Sequence, residues 1–278
     1  PFHLVASLFN ENSNVAVDGR MWADKVLRLQ DALPSAKVIS ANPVIAHLRM
    51  RKTAEEVESL RKAGAAIDWV HSHVATLLKV GRTEAEVGKD IADLILKSGH
   101  VSADFIIVGS GPNSASPHHE VSDRIIGHGD AVVVDIGGTM PDGYCSDSTR
   151  TYHMGAPTKS YERDFEILHQ AQQAATKAVK PGITCEEIDK VGRDVMSAFG
   201  IGDLFIHRIG HGIGLETHEE PYMVQGNDLP LEVGFAFSIE PGFYRTGVAG
   251  ARIEDIIVCG DTEAVVLNNR PRELVVID

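Results

Sequence analysis

Two helix-forming stretches align without gaps at an offset of 101 residues, and this repetition constrains the fold more than any other feature of the chain. Gly81 falls on Gly182, Thr83 on Thr184, Val87 on Ile188, Asp93 on Asp194 and Gly99 on Gly200. Thr83 and Glu86 form a capping box that opens the first stretch, which runs to about Lys97, and Thr184 caps the second. A helix precedes each. The first starts at Ala54 and carries Val57, Leu60, Ile67, Val70, Val74 and Leu77 on one face, with Gly64 on that face permitting close packing. The second covers roughly Tyr161 to Val179. Strand-like runs follow each pair: 104–108, 131–135 and 144–153 in the first copy, then one near Phe205 and others at 235–239, 251–258 and 264–267. Two copies of helix, helix, strands predict one domain of two related halves with a site between them. The competing reading is coincidence, because capping boxes and terminal glycines recur in unrelated helices.

With 43% hydrophobic and 23% charged residues the 278-residue chain has a globular composition. A formal net charge of -13 argues against nucleic-acid binding, which needs clustered Lys and Arg. Carboxylates reserved for divalent cations would account for part of that charge. Cys145, Cys185 and Cys259 show no CxxC spacing and read as reduced thiols. No apolar run approaches membrane-spanning length and no basic-then-apolar leader opens the chain, so a cytoplasmic protein without a membrane partner is expected. Residues 1 to about 50 hold short apolar runs at 15–17 and 38–39 around a helical stretch at 21–33. They read as the C-terminal remnant of a larger N-terminal domain, or as an extra layer on the main one, which covers 54–278.

Residue types that bind metals gather in four stretches: VVVDIGGTMPDGYCSDSTRT (132–151), HRIGHGIGLETHEEP (207–221), FSIEPGFY (237–244) and ARIEDIIV (251–258). Each adjoins a strand signal, so Asp135, Glu240 and Glu254 stand where strands leave the core. An unpaired anion buried there is costly, and a cation offsets the cost. Singly, each residue has a bland reading: Asp135 can cap a turn, His211 can be a satisfied core histidine, and Glu254 can pair with Arg252. Jointly, four strand-edge acids and a Gly-flanked histidine point to a shared ligand.

The order Asp135, Asp147, His211, Glu240, Glu254, set in GYCSDSTRT, GHGIGLETHEEP, IEPGFY and ARIED, resembles the pita-bread metallopeptidases, a family of methionine aminopeptidases, aminopeptidases P and prolidases. The resemblance covers about residues 54 to 278 and implies an α/β (α+β) fold: a curved antiparallel sheet flanked by helices in two pseudo-symmetric halves. It implies that Asp135 chelates one of two divalent ions, Asp147 and Glu254 bridge both, and His211 with Glu240 completes the second. Four carboxylates nearly neutralise two such ions. Ions roughly 3.5 to 4 Å apart would ionise a bridging hydroxide and polarise a peptide carbonyl. Oxygen-rich ligation with one imidazole favours Mn²⁺, with Co²⁺, Zn²⁺ and Fe²⁺ left open.

By the same resemblance His118 lies near the leaving group, His218 stabilises the tetrahedral intermediate, and His207 is the extra active-site histidine of the proline-specific branch. Each can donate to developing charge; the alternative for each is a solvated or structurally satisfied ring. His119 reads as solvated, and Glu240 doubles as a proton shuttle. Two departures stand out. Asp135 and Asp147 lie twelve apart where relatives commonly have eleven, and Tyr222 follows Pro221 where many prolidases carry an Arg that grips a dipeptide's carboxylate. Arg252 or a residue further upstream is left as its substitute. The expected activity is hydrolysis of the Xaa-Pro bond of short proline-containing peptides, dipeptides first, with aminopeptidase P action on longer peptides as the alternative and a homodimer as the expected assembly. A metal-free creatinase-like hydrolase or a non-catalytic binding module of this fold would have lost several of the five ligands, and all five are present.

Overall fold

The computed structural model describes residues 2–10 and 12–278 and divides into two compact units, Pro1–Arg49 and Met50–Asp278. The first contains α1 (Phe2–Ala6), β1 (Asn14–Val17), α2 (Ala23–Ala32), β2 (Lys37–Ser40) and most of α3 (Asn42–Met50). Its two strands pair in parallel, Val15 against Val38, because α2 returns the chain to the same end of the sheet. Val15 and Leu29 are buried between them.

The larger unit opens with α4 (Ala54–Leu77) and α5 (Glu84–Lys97), followed by β3 (Ser102–Ser110), β4 (Ala131–Thr139) and β5 (Cys145–Met154). It then repeats the order with α6 (Lys159–Ala178), α7 (Cys185–Ala198), β6 (Gly210–Gly212), β7 (Glu219–Met223), β8 (Ala236–Ile239), β9 (Gly242–Arg245), β10 (Ala249–Arg252), β11 (Asp255–Cys259), β12 (Ala264–Val266) and β13 (Val275–Ile277). Reciprocal capping boxes start α4, α5 and α7 at Thr53/Glu56, Thr83/Glu86 and Thr184/Glu187. On α4 the expected face is buried at Leu60, Ile67, Val70 and Val74, and a Cβ on Gly64 would come 2.9 Å from the Leu267 carbonyl oxygen. The glycine is therefore required by a close backbone approach.

The strands form a four-stranded sheet in the order β13-β5-β4-β3, a five-stranded sheet β12-β11-β8-β6-β7 and the pair β10-β9. Every pairing in this unit is antiparallel except β13 with β5. Helices α4 and α5 share a core with Val132, Val134 and Ile136 of β4, while α6 and α7 share one with Phe237 and Ile239 of β8. Side chains alternate along a strand, so these apolar residues turn Asp135 to the opposite face of β4 and Ser238 to that of β8.

The repeat read from sequence extends to the backbone. Gly81 N donates to Ile126 O and Gly182 N to Leu231 O; Glu84 N donates to Arg124 O and Cys185 N to Leu229 O; Ala85 N donates to Ser122 O and Glu186 N to Asn227 O. Two expectations differ from the structure. No strand forms at Phe205, whose ring packs in the core beneath the Arg193 guanidinium, 4.2 Å away, after a 3₁₀ turn at Gly202–Leu204. The run 251–258 breaks at Ile253 and Glu254 into β10 and β11, which pair with different neighbours. Strands β7, β9 and β13 and helix α3 carried no signal that was read. Among the described residues no helix is long and apolar enough to cross a membrane.

Candidate metal centre

Asp135 and Asp147 are carried by one hairpin. In the β4–β5 ladder Asp135 pairs with Thr149 and Asp147 with Gly137, so the two carboxylates are diagonal neighbours on one face. The twelve-residue spacing preserves this, because the ladder runs unbroken from Ala131 to Thr139. His211 sits in β6, between β8 and β7, its backbone N–H donating to Ser238 Oγ at 3.0 Å. Glu240 follows β8, with Oε1 accepting from Ser238 Oγ at 3.2 Å. Glu254 occupies the break between β10 and β11. Its N–H donates to Thr149 O at 3.2 Å and its Oε2 accepts from Thr149 Oγ1 at 2.8 Å, which ties the second half to β5.

Asp147, His211, Glu240 and Glu254 converge, and Asp135, outside that closest group, faces the same cavity. His211 Nε2 lies 3.3 Å from Glu240 Oε1 and 3.6 Å from Asp147 Oδ2, and ligand atoms of Asp147, His211 and Glu254 all lie within 4.8 Å of one another. Burial pushes the Asp147 carboxyl well above its ordinary range, with the charges of Glu254, Asp135 and Glu240 adding to it. Glu254 is raised well above its range by burial and then by Glu240 and Asp135. Glu240 is pushed up to about 7 by burial, with Arg252 opposing.

A cation fits this donor set on two observations. Asp135 Oδ1 is buried with no hydrogen-bond partner among the described residues, an orphaned acceptor among acceptors. His211 Nδ1 faces Gly212 O at 3.1 Å and must donate to it, so Nε2 presents its lone pair to carboxylate oxygens. Burial, with His218 adding to it, lowers the His211 pKa to about 3, which keeps the ring neutral. Lone pairs facing lone pairs repel, and divalent ions would reverse the sign of the interaction.

Around this cluster the other cavity groups divide into committed and open ones. Arg252 spends all three nitrogens: Nη2 donates to Asp135 Oδ2 at 2.6 Å, Nη1 to the Tyr244 hydroxyl at 2.7 Å and Nε to Thr149 Oγ1 at 3.1 Å. The Tyr244 hydroxyl donates in turn to His207 Nε2 at 2.9 Å, and His207 Nδ1 donates to Arg208 O at 2.7 Å. Burial, then Arg252, lowers the His207 pKa to about 3. His207 is thus a neutral ring on the cavity wall with both nitrogens engaged, and in this arrangement it holds Tyr244. His218 stacks on His211 with ring centroids 4.0 Å apart, and His118 is exposed on the cavity wall. His119 is not solvated as read from sequence; its Nε2 donates to the buried carboxylate of Glu84 at 2.7 Å. Glu84 and Arg208 are the residues that sequence reasoning missed. Arg208 Nε is buried without a hydrogen-bond partner among the described residues, and its guanidinium lies 5.0 Å from the centroid of the Tyr222 ring.

Asp135, Asp147, His211, Glu240 and Glu254, together with His118, His207, His218 and Arg208, line a single cavity of about 770 Å³. Metallopeptidase family M24 matches residues 58–261. The chain belongs to this family. Among M24 relatives, the probable dipeptidase PepE of Mycobacterium tuberculosis is 52% identical over 262 residues, which are 94% of this chain and 70% of the relative. An Xaa-Pro dipeptidase of Lactobacillus helveticus is 43% identical over 235 residues, 84% of this chain and 63% of the relative. The solved structure of dipeptidase PepE from Mycobacterium ulcerans superposes with a TM-score of 0.96 at 52% identity, covering all of this chain (100%) and 75% of that one. The pita-bread architecture expected from the sequence is the M24 fold, and the chain is a metallopeptidase by family.

Proposed function

We propose that the chain hydrolyses the Xaa-Pro bond of dipeptides, with Asp135, Asp147, His211, Glu240 and Glu254 holding two divalent ions, Mn²⁺ by preference. The oxygen-rich donor set with one imidazole supports that preference. Bound there, the ions would lower the pKa of a shared water and polarise the scissile carbonyl. The remaining work belongs to the protein. Glu240, held through Oε1 by Ser238, takes the proton of the attacking water and passes it to the departing proline nitrogen. His118 and His218 face the cavity as donors to charge that develops on the substrate. Arg252, Tyr244 and His207 form a rigid chain behind Asp135 and keep its carboxylate aimed.

The observation that carries the dipeptide preference is Arg208. Of the two cavity arginines, Arg252 is tied at all three nitrogens to Thr149, Tyr244 and Asp135, so its guanidinium is committed to positioning Asp135 and Arg208 is the better candidate for the carboxylate grip that the sequence left open. Arg208 lines the cavity, leans on Tyr222 and has a buried nitrogen without a partner among the described residues. A dipeptide brings a free carboxylate that would satisfy it through charge-assisted hydrogen bonds. The cavity also has room for longer chains, which sustains aminopeptidase P action as the second reading. Mn²⁺-loaded protein should release proline from Leu-Pro and Ala-Pro faster than it cleaves Leu-Pro-Gly, and Arg208→Ala should raise KM for Leu-Pro by about tenfold or more. Cleavage confined to tripeptides and longer substrates would reverse the preference, and no cleavage of any Xaa-Pro bond would end the reading. Sedimentation would test the homodimer that the family resemblance suggests.

A further inference from the structure

Glu84 is the first residue of α5 and its side chain is completely buried (0% exposed). A buried carboxylate is tolerated only when donors surround it. Here they come from one continuous stretch of chain: Ser110 N at 2.8 Å, Ser110 Oγ at 2.7 Å, Asn113 Nδ2 at 3.1 Å, His119 Nε2 at 2.7 Å and Ser122 Oγ at 2.6 Å. Burial alone would raise the Glu84 pKa; the bonds from Ser122, Ser110 and His119 outweigh it and bring the carboxyl below its ordinary value. Two of these donors, His119 and Ser122, belong to the turn that forms one wall of the metal-site cavity, where Pro117, His118, His119, Glu120 and Val121 face inward. His118 is itself exposed and engages no hydrogen bond among the described residues, so its place is set by its neighbours.

The second half of the molecule shows that the frame does not need this carboxylate. Cys185 occupies the matching position at the start of α7, makes the matching backbone hydrogen bond to Leu229 O, and packs in an apolar core. The stretch of that half that these backbone bonds match to 116–122, residues 221–227, supplies none of the residues lining the cavity. Glu84 therefore occurs in the half whose loop walls the site, and is absent from the half whose loop does not.

We propose that Glu84 is a positioning residue: through His119 and Ser122 it fixes the 116–122 turn so that His118 is presented to the substrate. The catalytic consequence rests on the Xaa-Pro peptidase reading; the mechanical one does not. Two measurements separate them. In hydrogen–deuterium exchange, Glu84→Cys, which installs the residue of the other half, should speed exchange of amides 116–122 by about tenfold or more while amides 87–95 of α5 stay protected. In kinetics with Mn²⁺ and Leu-Pro, the same change should lower kcat by about 10- to 100-fold with KM within about twofold and metal content unchanged. Added to His118→Ala, it should cost less than about a further twofold, because residues that act through one another are not additive. Glu84→Gln, which keeps the shape and one acceptor oxygen, should restore part of both losses and guards against a misfolded cysteine variant. Unchanged exchange at 116–122, or fully multiplicative losses in the double variant, would overturn the proposal. If wild-type protein cleaves no Xaa-Pro peptide, the function fails and the exchange result alone decides whether Glu84 holds the turn.

Discussion

Gly81 and Gly182 stand at φ of +95° and +91°, each two residues before a capping threonine and each donating to the carbonyl of an adjacent loop residue, Ile126 or Leu231. In this layer the two halves of the larger unit are nearly interchangeable. In the next layer they are not. The first half presents Asp135 and Asp147 from a continuous hairpin, whereas the second presents Glu240 just beyond β8 and Glu254 in a break between β10 and β11. The longer glutamate side chains thus come from interrupted strands and the shorter aspartates from regular ones. The first half holds its wall loop with Glu84, and the second puts Cys185 in that place. Backbone bonds and caps make the frame and tolerate changes of side chain; the chemistry is set by side chains that diverged between copies.

The largest test of this division is to remove one carboxylate from each half. Asp147→Ala and Glu254→Ala should each lower kcat/KM by about a thousandfold or more, with loss of bound metal measured by atomic emission, because both join the same cluster. A variant that keeps both its metal and its activity would remove that residue from the centre.

A smaller effect follows from the raised carboxyls of Asp147, Glu240 and Glu254 in metal-free protein. Their folded pKa values exceed the unfolded ones, so the folded state binds more protons and stability falls as pH rises through the folded values, about 7 for Glu240. His207 and His211, lowered to about 3, act in the opposite direction, but only between about 3 and their unfolded value near 6.5. The window is therefore above pH 6.5. Between about pH 6.5 and 8 the metal-free protein should lose roughly 5 °C in Tm, and saturating Mn²⁺ should abolish the slope. An equal slope with and without metal would detach these carboxylates from the ions.

The smallest test concerns the frame alone. Gly81→Ala and Gly182→Ala meet nothing within 4 Å, so each carries only the strain of positive φ. Each should cost about 1 kcal/mol in denaturant unfolding, equal within error, and leave kcat unchanged. Clearly unequal costs would show that the halves differ in the frame as well.

The amino-acid sequence by itself determined what short-range signals encode. Thr83 and Thr184 mark helix starts because a cap lies within four residues, and the apolar face of α4, with Gly64 on it, follows from a 3.6-residue period. The apolar run 131–134 ending in Asp135 placed that carboxylate where the strand leaves the core, and the motif order named the residues that the fold gathers around one cavity. Local runs of β-formers were less informative: at 251–258 the run reads as one strand, and its break depends on two different partner strands. Only the tertiary structure decided how donors and acceptors are spent. Arg252 is engaged at all three nitrogens, Arg208 Nε has no partner among the described residues, His207 is engaged at both nitrogens, and Glu84 accepts from donors lying 26 to 38 residues further along the chain. Whether a polar atom is free depends on neighbours brought together by long-range packing, and no window of sequence contains them.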